Sequence, residues 1–217
     1  MKKETKKNFG IAAILLGAFV VWTAAVRLVD VQPIGPQGSA VGFATINGWV
    51  YDLTGVHMAL YTVTDWLGLV PFSVAMGFAL LGLIQWWTRK RLRQVDFSIL
   101  VLGGFYLLVM AAYVLFEVFV INHRPVLING HWEASYPSST TMLVLCVMPT
   151  AIMQLNARIK NQTLKRWVGF GITAFVVFMV IGRLLSGVHW FTDIVGGALL
   201  SAGLVMLYHS IISLEIK

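Results

Sequence analysis

Phe97-Ser-Ile-Leu-Val-Leu-Gly-Gly-Phe-Tyr-Leu-Leu-Val-Met-Ala-Ala-Tyr-Val-Leu-Phe-Glu-Val-Phe-Val-Ile121 carries one charge, Glu117, close to its end. A bilayer core takes about 20 helical residues to cross. Lipid offers no partner to a bare N–H or C=O, so an apolar run of this length reads as a membrane-spanning helix. Five more such runs lie near Phe9–Val29, Leu67–Trp87, Ser138–Leu155, Trp167–Leu184 and Phe191–Ile211. The expected fold is all-α: an integral membrane bundle of six helices, forming one domain over residues 1–217. Composition agrees. The chain is 58% hydrophobic and 12% charged, with a mean hydropathy of +0.80, whereas soluble domains average roughly 45–50% apolar and about 25% charged. The first run is too long for a secretory signal core and lacks a small-x-small cleavage site, so it reads as an uncleaved span. Cys146, the one cysteine, lies inside an apolar run and has no partner for a disulfide within the chain.

The net charge of +7 is a topology signal rather than a sign of nucleic acid. Lys2, Lys3, Lys6 and Lys7 precede the first span. Arg89, Lys90, Arg91 and Arg93 follow the second, Arg158, Lys160, Lys165 and Arg166 follow the fourth, and Lys217 ends the chain. All fall on one side of a six-span arrangement, and the positive-inside rule makes that side cytoplasmic, with both termini there. Trp66 and Trp190 near the outer face, and Trp86, Trp87 and Trp167 near the inner, fit aromatic belts. Between the first two spans, Phe43, Ile46, Val50 and Leu53 recur at helical spacing, continued by Val56, Leu60 and Val63. One or two amphipathic helices on the outer membrane surface are expected there, capping the bundle. Gly197 and Ser201, small residues four apart, predict close helix packing in the last span.

The basic residues left over are Arg27, Arg124 and Arg183, and two of these belong to polar segments that the topology brings to the outer face. Asn122-His123-Arg124-Pro125 closes the third span, with proline as the expected helix stop. Tyr136-Pro137-Ser138-Ser139-Thr140 opens the fourth with a helix-start signature, which aims free backbone N–H groups outward. Gly182-Arg183-Leu-Leu-Ser-Gly-Val-His189-Trp-Phe-Thr-Asp193 joins the fifth and sixth. A guanidinium presents a planar fork of donors to phosphate oxygens. An imidazole can attack phosphorus, and a carboxylate can hold it in the attacking tautomer. These groups fit chemistry on a phosphate ester.

In block order and spacing the chain resembles the type 2 phosphatidic acid phosphatase family, the membrane branch of the haloperoxidase and acid phosphatase superfamily. That signature reads Lys, six residues, Arg-Pro; then Pro-Ser-Gly-His; then Ser-Arg, five residues, His, three residues, Asp. The resemblance implies that His189 is the nucleophile that becomes phosphohistidine and that Asp193 orients it. It also implies that Arg124 and Arg183 bind phosphate with Ser138 and Ser139, and that neither metal nor cofactor takes part. Four positions depart from the signature: Glu117 for the lysine, Gly182 for the serine opening the third block, Ser139 for the glycine and Thr140 for the second-block histidine. In the family that histidine protonates the departing oxygen, which threonine cannot do near neutral pH.

Three accounts of Thr140 stand side by side. The substrate is a phosphoanhydride, whose leaving group needs little acid help; or Glu117 or His123 supplies the proton; or catalysis is lost and the protein binds phosphorylated lipid. Glu117 is also read as an ion-pair partner for Arg124 or Arg183, from seven residues before Arg124 on the same helix face. The expected function is a membrane lipid phosphatase acting on a lipid pyrophosphate or phosphate, such as undecaprenyl pyrophosphate, at the outer face of the cell membrane. The alternatives are a lipid-phosphate or partner-binding member and a lipid phosphotransferase. Expected partners are the phosphorylated lipid and membrane lipids, not nucleic acid, and nothing in the sequence specifies an oligomeric state.

Overall fold

A computed structural model describes residues 3–215; Lys2 and Lys217, two of the basic residues used for topology, lie outside them. Among the described residues, eight α-helices follow in order: α1 (Lys3–Leu28), α2 (Ala44–Thr54), α3 (Met58–Leu67), α4 (Leu69–Arg89), α5 (Phe97–Val118), α6 (Ser139–Arg158), α7 (Gln162–Leu185) and α8 (Phe191–Ile212). Among the described residues, six helical runs are long and apolar enough to cross a membrane: Glu4–Leu28, Met58–Arg89, Phe97–Val118, Ser139–Arg158, Gln162–Leu185 and Phe191–Ile212. Extended pairing among those residues is limited to isolated bridges, Gln32 with Val41, His123 with Ala134 and Ile128 with His131.

Two boundaries differ from expectation. α3 is not set apart from the second span, because Gly68 is itself helical (φ −59°, ψ −21°) and carries α3 on into α4. α3 packs against α7, and α2 against α8. α5 ends at Val118, well before Pro125, so proline is not what stops it. Beyond it the chain turns extended: Arg124 N–H donates to Glu133 O (3.1 Å) and Ser135 N–H to Asn122 O (2.9 Å). This pairing removes the helical register between Glu117 and Arg124 on which their shared face depended. Elsewhere the caps set the limits. Ser138 stands just outside α6 and accepts Thr141 N–H, and Asn161 does the same for Leu164 N–H before α7.

α6 and α8 form the centre of the bundle. Half of each of their apolar windows is buried, against 11–22% in the other four spans. Small residues on α8 make this possible. A Cβ at Gly196 would stand 2.5 Å from the Tyr136 ring, one at Gly197 3.2 Å from Ser138 O, and one at Gly203 2.7 Å from Leu16. The first two glycines admit the segment leading into α6, and Ser201 Oγ donates to Met142 O (3.3 Å), the close approach expected of small residues four apart. α1 runs along α8, with Trp22 Nε1 donating to Thr192 O (3.2 Å).

The links α4–α5 and α6–α7 are short and lie at one end of the bundle, together with the start of α1 and the end of α8. There Asp96 joins three helices, meeting Arg89 at 2.8 Å, Gln85 at 2.8 Å and Arg158 at 3.3 Å. The ends of α5 and α7 and the starts of α6 and α8 gather at the opposite end. These are the termini that carry the three polar segments.

Candidate active site

His189 lies in the link between α7 and α8, and Asp193 in the first turn of α8; both are fully enclosed. Asp193 serves its helix and its neighbours at once. Its Oδ2 accepts the Trp190 backbone N–H (2.9 Å), capping α8, and also the Ser135 hydroxyl (2.5 Å). Oδ1 faces Asn122 Nδ2 at 3.4 Å. Its backbone carbonyl takes Ser138 N–H (3.1 Å), which pins the start of α6 to the start of α8.

The tautomer of His189 follows from its partners. Nδ1 lies 3.2 Å from Ser135 O, which can only accept, so Nδ1 carries the hydrogen. Nε2 is then left with its lone pair, buried and without a protein partner. Burial first, then the positive charges of Arg124 and Arg183, hold this imidazole well below its ordinary pKa, and the bond to Ser135 opposes them. His189 is therefore neutral near pH 7.

Two guanidiniums stand over one ring. Arg183 Cζ lies 5.0 Å and Arg124 Cζ 5.7 Å from the centroid of Tyr61, on α3. This cation–π platform holds two like charges in one neighbourhood. Each arginine also meets a more exposed carboxylate, Arg183 with Asp65 at 3.6 Å and Arg124 with Glu133 at 3.0 Å. Those contacts leave donors over. Arg124 Nη1 and Arg183 Nε are buried with no hydrogen-bond partner, and Arg124 Nε faces Glu133 off the line a hydrogen bond needs. Most of the unpartnered buried side-chain atoms among the described residues thus belong to Arg124, Arg183 and His189. Native proteins leave few such groups, and each calls for an explanation. Here they leave cationic N–H donors and an imidazole lone pair free, groups chemically suited to an anion.

Ser138 is fully buried at the start of α6, with Ser139 and Thr140 half-buried in its first turn. Ser139 lines a narrow cleft, with room for little more than a water molecule, together with Ser135, Tyr113 and Glu117. Glu117 is exposed, and the arginines take Glu133 and Asp65 instead, so neither its burial nor an ion pair to Arg124 or Arg183 is found. His123 is half-buried, its ring edge-on to Trp132 (centroids 4.6 Å apart), and its carbonyl accepts Trp190 Nε1 (2.9 Å).

Sequence reasoning missed several residues. Ser135 and Glu133 adjoin the second block, and their polarity was the signal available. Tyr61, Thr64 and Asp65 gave no signal, because α3 read as an outer cap and its approach to Arg183 is purely tertiary. Asn47 of α2 was equally silent: it accepts Thr192 N–H (3.1 Å) and donates to Gly42 O (2.8 Å), holding the head of α8.

The profile of the family described as the PAP2 superfamily matches residues 99–217. No curated protein matches the chain. Among solved structures it is similar to a transmembrane PAP2-type phosphatidylglycerolphosphate phosphatase from Bacillus subtilis. The two are 19% identical with a TM-score of 0.56, over 95% of this chain and 97% of that one. At that identity the likeness speaks to the fold.

Proposed function

The chain belongs to the PAP2 superfamily, and from that premise we propose that it is a metal-independent membrane lipid phosphatase working through a phosphohistidine. The observation that carries the reading is that Arg124 Nη1, Arg183 Nε and His189 Nε2 are all buried without partners, in side chains near enough for both guanidinium charges to act on the imidazole. The arginine donors take the phosphoryl oxygens and stabilise the charge that gathers on them in the transition state. The Nε2 lone pair forms the N–P bond while the bond to the leaving oxygen breaks, and that oxygen departs with the electron pair. Water then attacks phosphorus and gives its proton to solvent, and the N–P electrons return to Nε2.

Thr140 and the exposed Glu117 favour a lipid pyrophosphate, such as a polyprenyl pyrophosphate, whose leaving phosphate needs little protonation. The similar Bacillus protein is described as acting on phosphatidylglycerolphosphate, a monoester. A panel of lipid mono- and pyrophosphates, with purified protein in detergent and chelator present, separates the two classes. Pyrophosphates should turn over faster, and Thr140→His should improve monoesters more than pyrophosphates, because general acid help is worth about a hundred- to ten-thousandfold. Efficient phosphatidic acid hydrolysis by both the native protein and Glu117→Gln would defeat the leaving-group argument. A panel with no turnover would favour the lipid-phosphate binder, which the loss of the histidine at Thr140 supports.

The site lies at the end of the bundle opposite Lys6, Lys7, Arg89, Lys90, Arg158 and Lys160. By the positive-inside rule it faces outward, with substrate presented from the outer leaflet.

A further inference from the structure

We propose that Ser135 is the positioning residue through which Asp193 acts on His189, an inference that rests on the nucleophilic role given to His189 above. Asp193 Oδ2 stands 3.9 Å from His189 Nδ1, too far for a hydrogen bond. The Ser135 hydroxyl fills the gap, 3.0 Å from Nδ1 and 2.5 Å from Oδ2.

Proton bookkeeping fixes the direction of this chain. A carboxylate only accepts, so the hydroxyl hydrogen points to Asp193. Nδ1–H then donates into the Ser135 oxygen, sharing its hydrogen with Ser135 O. When Nε2 bonds to phosphorus the imidazole becomes cationic and Nδ1–H a stronger donor. A hydroxyl already polarised by a carboxylate accepts that hydrogen better than a free one, so Asp193 is felt at Nδ1 without touching it. No proton has to leave Nδ1.

The same geometry excludes Ser135 as the attacking group. Its oxygen lies on the Nδ1 side of the ring, fully buried, with its hydrogen committed to Asp193. Its backbone is held from both sides. Ser135 N–H bonds Asn122 O, and the next residue, Tyr136, seats its ring on Gly196 and its hydroxyl on Thr23 at 2.7 Å.

The test uses full-length protein in detergent, comparing Ser135→Ala, Ser135→Thr, Asp193→Asn and the Ser135→Ala/Asp193→Asn double variant. Single-turnover hydrolysis of the best lipid substrate is one readout, and binding of orthovanadate, which bonds an imidazole nitrogen as phosphorus does, is the other. Ser135→Ala should slow the chemical step about ten- to a hundredfold, the size of a hydrogen bond to a charged group, with KM nearly unchanged. Ser135→Thr, which keeps the hydroxyl, should stay close to native. The double variant should be no slower than the slower single, because both remove one path. Vanadate affinity should fall in Ser135→Ala as well. If Ser135→Ala does not fold, Ser135→Cys, a far weaker donor, carries the same expectation.

A native rate in Ser135→Ala, losses that multiply in the double variant, or unchanged vanadate affinity would each overturn the proposal. Native protein that binds vanadate but hydrolyses no lipid would sink the phosphatase reading alone, and the vanadate comparison would still decide the role of Ser135. Native protein that does neither overturns both.

Discussion

His189 meets the protein through Nδ1 and leaves Nε2 without a partner, so the proposed chemistry turns on that ring's protonation and aim. His189→Ala should abolish turnover and phosphoenzyme trapping, with the protein still monodisperse in detergent, whereas Asp193→Asn should leave residual activity. The depressed pKa gives a pH signature. A histidine in the unfolded chain protonates near pH 6.5, while His189 in the folded protein stays neutral there. The unfolded chain therefore binds more protons in the window just below that value, and stability falls as pH drops through it. For the same reason the nucleophile's acid limb in kcat/KM should lie below about pH 6.5. Arg124→Gln removes one of the charges that depress it, so the limb should move to higher pH. Both proteins see the same substrate ionisation, so coincident limbs for the same lipid would contradict this electrostatic account.

α3 and the α7–α8 link come together through two glycines. Gly187 has φ +68°, and a Cβ there would sit 1.9 Å from Gly55 O, while His57 N–H bonds Ser186 O (3.0 Å). This contact fixes α3, and with it Tyr61, against the His189 segment. Gly187→Ala should lower thermal stability by well over the ~1 kcal/mol that a positive φ alone costs. Gly130→Ala, with φ +79° but open space, should show only the conformational cost. Thermal unfolding in detergent compares the two. Tyr61→Leu removes the platform under both guanidiniums and should raise KM about three- to tenfold, with less effect on kcat. A fall in kcat alone would show that the ring serves the chemical step instead.

For the whole molecule, the prediction concerns sidedness. Cys146 is buried, so single introduced cysteines report position without interference. His131 and Arg93 are exposed at opposite ends of the bundle. His131→Cys should react with an impermeant thiol reagent in intact cells, and Arg93→Cys only after permeabilisation. The reverse pattern would turn the site to the cytoplasm and remove the outer leaflet as its source of substrate.

The sequence by itself determined the six spans and the identity of the groups suited to phosphate, because hydropathy and block spacing are local properties of the chain. The runs Phe97–Ile121 and Phe191–Ile211 are apolar enough to read as spans on hydropathy alone, and Arg183, His189 and Asp193 are separated by fixed short offsets. The cap at Ser138 was local too, lying in the helix-start signature that opens the fourth span. Tertiary structure alone decided what stands between those groups. Ser135 reaches Asp193 only because the segment after α5 pairs back on residues 133–135 and Tyr136 finds room at Gly196. Tyr61 reaches both arginines only because Gly68 continues the helix and Gly187 lets α3 descend on the loop. Glu117, read along one helix as a neighbour of Arg124, lost that position when α5 ended at Val118. Contacts between residues distant in the chain depend on backbone approach distances, and no local pattern encodes those.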